Sequence, residues 1–486
     1  MGIASLLIFS FSSISFAAFK LGEVVTIAGT GEIGYEDGNA SLAKFSSPSA
    51  AIEGPDGTIY ISDTLNHRIR VVTPQNQVRI FAGKTTSQDE YGFPIGGYKD
   101  GNVGTAMFNE PKGLALSQAG ILYIADAGNN AIRAIDNNGV VSTITTELNS
   151  PSDIVIDSNG QLIISDTLNH RIVKVTEQGE ASVLAGGGYS QDGDWLVGGY
   201  ADGKGQAAKF NEPSGLAIDA AGNVYVADTG NQRIRKIDAA GNVTTVAGTN
   251  SSKIDGTSYI TGGFKNGDLA TAQFNFPIGL AFDQEGNLFV ADSLNHVIRV
   301  ITKSGKVDTV AGVGEESGNR IGPESKALFD RPSDVTVLKN GKLLIVDQMN
   351  NKVRELHWYS LPPQVKSASS TIQVVFTNKS VTFSDAQPKV VSGRTLIPLR
   401  AIAETFGYEV DWNNEKQEIT IKDNAQTLLL KVGQKIVNKD KAQFSLDVAP
   451  LVEEGTNRTY VPLRFVAEAF DYQVDWLNKE RVVLIR

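Results

Sequence analysis

One short unit is written six times in the first three quarters of the chain, and it constrains the fold more than any other feature. The copies read IYISDTLNHRIRVV (59-72), LYIADAGNNAIRAI (122-135), LIISDTLNHRIVKV (162-175), VYVADTGNQRIRKI (224-237), LFVADSLNHVIRVI (288-301) and LLIVDQMNNKVREL (343-356). Their shared acids, Asp63, Asp126, Asp166, Asp228, Asp292 and Asp347, each precede an Asn by three residues and are spaced 63, 40, 62, 64 and 55 apart. An alternating apolar run precedes each copy, and G-x-V-x-T-V-A-G follows most of them. Strand, Gly turn, strand, Asp-x-x-Asn turn, strand, Gly turn, strand is the content of one propeller blade. Six such units predict a mainly β chain whose first part is a six-bladed β-propeller.

The two ends of the array support a closed ring. No fourth strand follows Glu355 in the sixth unit, yet a matching strand, Gly22-Glu-Val-Val-Thr-Ile-Ala-Gly29, lies ahead of the first. Pairing it with the last blade removes a sheet edge that would otherwise recruit other strands.

The sequences DTLNHRIR, DTGNQRIRK and DSLNHVIR resemble the NHL repeat, and the resemblance covers residues 21-358. It implies an interaction platform, since NHL propellers are known mainly in that role. A minority of similar propellers are lyases and lactonases with a metal in the central channel.

Most units carry an insertion with its own pattern: GYEDGNASLAKFSSP (34-48), GYKDGNVGTAMFNEP (97-111), GYADGKGQAAKFNEP (199-213), GFKNGDLATAQFNFP (263-277) and the weaker IGPESKALFDRP (321-332). Each is expected to join the outer strand of one blade to the inner strand of the next, pinned by its Phe. Two readings stay open: loops that bind on a rigid scaffold, or plugs for the grooves between blades.

Catalytic chemistry has little to work with. There is no Cys, which removes disulfides, thiolate metal sites and cysteine nucleophiles. Of the four His, three (His67, His170 and His296) recur at one position of units 1, 3 and 5, spread around the ring too widely to share a zinc, and read as turn residues. The repeated Asp reads as an acceptor for backbone N–H groups of its turn. Calcium is the one candidate ion, through Asp37, Asp100, Asp202, Asp192 and Asp194 in Gly-rich loops. No phosphate-binding loop, nucleophile elbow or H-E-x-x-H pair occurs, so no catalytic, cofactor or metal residue is assigned. The balance of 44 Lys+Arg against 54 Asp+Glu, with no basic block, disfavours a nucleic-acid partner.

Residues 359-371 (YSLPPQVKSASST) read as a linker. Beyond it RTLIPLRAIAETFGYEVDW (394-412) and RTYVPLRFVAEAFDYQVDW (458-476) agree at 12 of 19 positions, a duplicated α+β unit. Leu399, Ile402, Ala403 and Phe406 form one apolar helical face, and Trp412 and Trp476, on alternating strands, are expected in the core, the alternative being exposed platforms for sugar stacking. With its P-L-R-x-[IV]-A-E motif, the segment 372-486 resembles the copper amine oxidase N-terminal-like domain of secreted and wall-associated Gram-positive proteins. It contains no His, so neither copper nor oxidase chemistry is expected of it.

Residues 3 to 14 are apolar and are followed by Ser15-Phe16-Ala17-Ala18, which reads as a signal peptide, 1-18, too short to span a bilayer. The expectation is a secreted, monomeric, non-enzymatic binding protein without a membrane span. Its partner would be an extracellular protein or cell-wall polysaccharide, and the tail would serve for wall attachment. The alternative is a metal-assisted hydrolase or lyase at the channel mouth.

Overall fold

The computed structural model describes residues 20–486 except 177, 188, 189, 193, 194, 250, 251, 367, 368, 378, 384, 385, 424, 425, 441 and 479. The leader expected at 1-18, Asp194 and the Asp192 side chain lie outside the described residues. Residues to Tyr359 form one compact unit and Ser360–Arg486 a second.

The first unit is a ring of six antiparallel sheets, numbered here as blades 1 to 6. Blade 2 is typical, with strands Pro111–Leu116, Leu122–Asp126, Ala131–Ile135 and Val140–Thr145 running from axis to rim. Between its second and third strands the Asp-x-x-Asn segment forms one 3₁₀ turn that ends on a left-handed residue, Asn130 (φ 56°). The equivalent residues, His67, His170, Gln232, His296 and Asn351, share that conformation, which Asn and His tolerate better than β-branched residues do.

Blade 6 is completed by the N-terminal strand Gly22–Ala28, antiparallel to Lys352–Trp358 with Glu23 opposite His357 and Val24 opposite Leu356. Val24 and Ala28 are fully buried. The mainly β six-bladed ring expected from the repeats is the observed fold.

The insertions do more than connect blades. Gly38–Asn39, Gly101–Asn102, Gly203–Lys204, Gly267–Asp268 and Gly322–Pro323 each add a short fifth strand to the rim of the blade that follows. Blade 3, whose Asp lies only 40 residues after the previous one, has four strands. Phe45, Phe108, Phe210, Phe274 and Phe329 are fully buried, each wedged between two neighbouring blades. A buried Phe contributes about 1.5–3 kcal/mol from area alone, so these segments are structural wedges.

Near the axis the inner strands approach so closely that some positions exclude a side chain. A Cβ on Gly215 would lie 1.9 Å from the Ile278 carbonyl oxygen of the next blade. Gly215→Ala is therefore expected to lower stability by about 1–3 kcal/mol through overpacking, read as a shift in the urea midpoint. Gly341→Ala, which meets no atom within 4 Å but has a positive φ, tests strain without crowding.

In the second unit the duplication gives strand, helix, strand twice: Arg394–Pro398, Leu399–Phe406, Glu409–Asn413 and Arg458–Pro462, Leu463–Ala469, Val474–Leu477. The two leading strands pair antiparallel with Ile397 opposite Val461, which are equivalent positions in the 64-residue repeat. The two copies thus meet about a local two-fold. Leu399 and Leu463 are buried in the shared core; the side chains of Ile402 and Ala403 lie outside the described residues.

Candidate binding site at the propeller channel

The repeated polar residues are spent on holding the ring. Asp126 accepts a hydrogen bond from Asn109 N–H (2.7 Å) with one oxygen, and from Asn129 Nδ2 (2.8 Å) and Arg133 (2.7 Å) with the other. Arg133, fully buried, also donates to the insertion carbonyls of Met107 and Lys99 and pairs with Asp100. Blades 1 and 4 repeat this through Arg70 with Asp37 and Arg235 with Asp202. In blades 5 and 6 Arg299 and Arg354 meet Asn266 and Asn319 instead. Burial pushes the Asp63 carboxyl up to about 6 against the pull of Arg70. Blade 3 has no insertion and no arginine seven residues after its Asp; Val173 stands there, and Arg171 reaches Asp166 from the surface side.

Asp37, Asp100 and Asp202, the calcium candidates, thus bind a buried arginine each and also accept from the backbone N–H of Ile80, Thr143 and Thr245. Among the described residues no three of His, Asp and Glu converge as metal ligands.

The left-handed residue closing each turn latches the next blade. Nδ1 of His67, His170 and His296 accepts from the backbone N–H of Glu110, Glu212 and Arg331 at 3.0–3.1 Å. The side-chain oxygens of Asn130, Gln232 and Asn351 do the same for Ser150, Phe276 and Ser47. An accepting Nδ1 leaves the proton on Nε2, which faces the carbonyl oxygens of Pro94 and Leu196 in blades 1 and 3. Burial lowers the basicity of His67, opposed by Glu110 and aided by Arg68. Burial also lowers that of His296, opposed by Asp330 and aided by Arg331. A lowered folded pKa means the unfolded chain binds protons first, so this contribution is full above about pH 6.5 and is lost on acidification. Buried carboxyls with raised pKa values, Asp63 among them, gain stability over the same window, so the histidine contribution is read as a difference: between pH 7.5 and 5, His67→Asn/His296→Asn should gain urea stability relative to the wild type.

The turns and the connections between blades emerge on one face, where the channel opens into a cavity of about 250 Å³. Its wall is rich in hydroxyls, including Ser49 with Thr64 (2.6 Å) and Ser214 with Thr229 (2.5 Å). Lys112, Asp153, Glu212, Phe276, Ile278 and Asp334 also line it. Three longer connections rise beside the mouth after blades 1, 3 and 4, bridged at Gln88–Pro94, Ser190–Val197 and Lys253–Ile260. In the third, Tyr259 stacks on Phe276 (5.9 Å) and donates to Glu212 (2.5 Å). In the first, Tyr91 is 77% exposed beside exposed Phe93 and Ile95.

The second unit has no imidazole or thiolate donor in residues 372-486, and this donor set does not fit copper. Trp412 and Trp476 are 39% and 41% exposed, not core as expected. Both lie near the far ends of edge strands, two residues past Val410 and Val474, which pack on the core. Tyr408 and Tyr472 instead pack among Phe376, Phe406 and Phe470.

Residues 375–485 match the family model of the copper amine oxidase N-terminal domain, residues 144–238 that of the teneurin NHL domain and residues 274–301 that of the NHL repeat. The chain is 29% identical over 330 residues to NHL repeat-containing protein 2 of Bos taurus, covering 60% of this chain and 44% of that protein. It is 30% identical over 301 residues to Protein SUPPRESSOR OF QUENCHING 1, chloroplastic, of Arabidopsis thaliana, covering 57% and 27%. The chain therefore spans less than half the length of either relative. Among solved structures it resembles a protein of unknown function from Bacteroides thetaiotaomicron VPI-5482 (TM-score 0.52, 18% identity, 69% and 76% covered). It also resembles an auxiliary nutrient binding protein from Bacteroides ovatus ATCC 8483 (TM-score 0.51, 17% identity, 70% and 78% covered). Both share the fold. Among the described residues no helix is long and apolar enough to cross a membrane.

Proposed function

We propose that this chain, an NHL-repeat propeller joined to a copper amine oxidase N-terminal domain, is a secreted binding protein and not an enzyme. One observation carries the reading. The side chains with chemistry to offer on the turns, the six Asp and His67, His170 and His296, are engaged in stapling blades together, whereas the same face opens a cavity flanked by three raised connections. Rigid rings that present variable loops are built for recognition. Export follows from the apolar leader, and the second unit, with Trp412 and Trp476 exposed, serves attachment to wall polysaccharide.

Purified chain lacking residues 1–18 should co-sediment with isolated Gram-positive cell walls and lose that retention in Trp412→Ala/Trp476→Ala. It should also capture a protein from the secreted fraction through the turn face, with capture reduced in Tyr91→Ser/Phe93→Ser. Retention by neither material contradicts the proposal.

A further inference from the structure

The cavity breaks the repetition of the ring in two successive layers. The second residue of each inner strand or its lead-in is Ser49, Lys112, Ser152, Ser214, Ile278 or Ser333. Lys112 of blade 2 thus stands on the opposite side of the axis from Ile278 of blade 5. In the next layer the positions are Ala50, Gly113, Asp153, Gly215, Gly279 and Asp334, so the two carboxyls occupy opposite blades, 3 and 6.

None of these charges is in a side-chain ion pair among the described residues. Among the described residues the Lys112 ammonium makes no hydrogen bond or ion pair, and burial pushes its pKa down against the pull of Glu110 and Glu212. Asp153 and Asp334 accept only from backbone N–H groups, Asp153 from Leu216 (2.8 Å) and Ile154, Asp334 from Ala51 (3.1 Å) and Val335. Burial, with the Asp334 charge added, pushes Asp153 up to about 8, and burial pushes Asp334 up to about 6. Besides the Glu212 carboxyl in its wall, which accepts from the Tyr259 hydroxyl, the cavity at neutral pH therefore holds one cation, one carboxylate and one largely neutral acid. Charges withdrawn from water and left unpaired are costly, and a ligand carrying both signs would relieve that cost.

We propose that the cavity binds a small zwitterion of the α-amino acid class with an apolar side chain, its carboxylate on Lys112, its ammonium on Asp334 and its side chain against Ile278 and Phe276. This rests on the reading of the channel face as a binding site and names its ligand class. A simple carboxylate would leave Asp334 unpaired, and a simple amine would meet Lys112 as a like charge. A volume of about 250 Å³ lies below the range of about 300–1,000 Å³ typical of larger ligands.

Calorimetric titration of the full chain at pH 7 with L-leucine, 4-methylpentanoate and 3-methylbutylamine tests this, since the last two each lack one charged group of the first. Leucine is expected to bind at least about tenfold more tightly than either, a difference of about 1.4 kcal/mol. Lys112→Met should weaken leucine at least about tenfold and leave the amine unweakened; Asp334→Asn should weaken leucine and leave the carboxylate unweakened. Equal affinity for leucine and one analogue, leucine binding that survives both substitutions, or no leucine binding by the folded wild type overturns the inference. Each of these can occur with wall or protein retention intact, in which case the binding-protein reading survives.

Discussion

Arg133→Met is expected to destabilise the propeller by about 3–5 kcal/mol, the cost of removing one partner from a buried ion pair. Arg133 and Asp126 are both fully buried and 2.7 Å apart. Without the guanidinium, Asp126 loses the cation paired with it, the carbonyls of Met107 and Lys99 each lose one of their two donors, and the rings of Tyr98 and Phe108 lose the cation over their faces. Burial already raises the Asp126 pKa, so the variant is expected to take up a proton there on folding. Asp126→Asn added to Arg133→Met should recover part of the loss, because it removes the stranded charge. Urea unfolding of the two variants measures both effects; a loss under about 1 kcal/mol for Arg133→Met would mean the staple is dispensable.

Removing residues 20–28 should abolish cooperative unfolding of the propeller. The deletion strips the strand paired along Lys352–Trp358, from Gly22 opposite Trp358 to Ala28 opposite Val353. Buried Val24 and Ala28 leave the core, and the Gly22 N–H bond to Glu324 (3.0 Å) and the Arg354 bond to Thr26 (2.6 Å) are lost. The exposed edge of blade 6 becomes a template for intermolecular pairing. Size-exclusion chromatography should show association that grows with concentration; a monomer with an unchanged urea midpoint would contradict the closure.

The repeats were legible because every blade needs the same local chemistry: an acceptor at the turn, a residue that tolerates positive φ, and apolar alternation on either side. The closing strand was legible because its pattern was missing at one end and surplus at the other. Less readable was the purpose of the insertions. Asp100 and Arg133 are 33 residues apart and meet only when the insertion folds back onto its own blade, although Arg-Ile-Arg stood in the quoted motif. The one blade without the insertion is also the one with Val173 in place of that arginine, a covariation within one sequence that could have exposed the staple. The channel site left a fainter signal still. Lys112, Asp153 and Asp334 each sit in an ordinary inner-strand segment, and only superposing the blades around an axis reveals which of them are opposite. Trp412 and Trp476 were misplaced because alternation gives the face of a strand but not where the core beneath it ends.

The measurement that bears most directly on the ring is a disulfide across its seam. Glu23→Cys/His357→Cys places thiols on directly opposed residues in a chain that has no other cysteine, and antiparallel partners lie within disulfide reach. Mild oxidation of the folded, dilute protein should give an intramolecular bond in nearly every molecule and raise the urea midpoint, whereas Glu23→Cys/Lys303→Cys, aimed at blade 5, should give none. Failure of the 23–357 bond to form, or its formation only between molecules, would contradict a propeller closed by its own N-terminal strand.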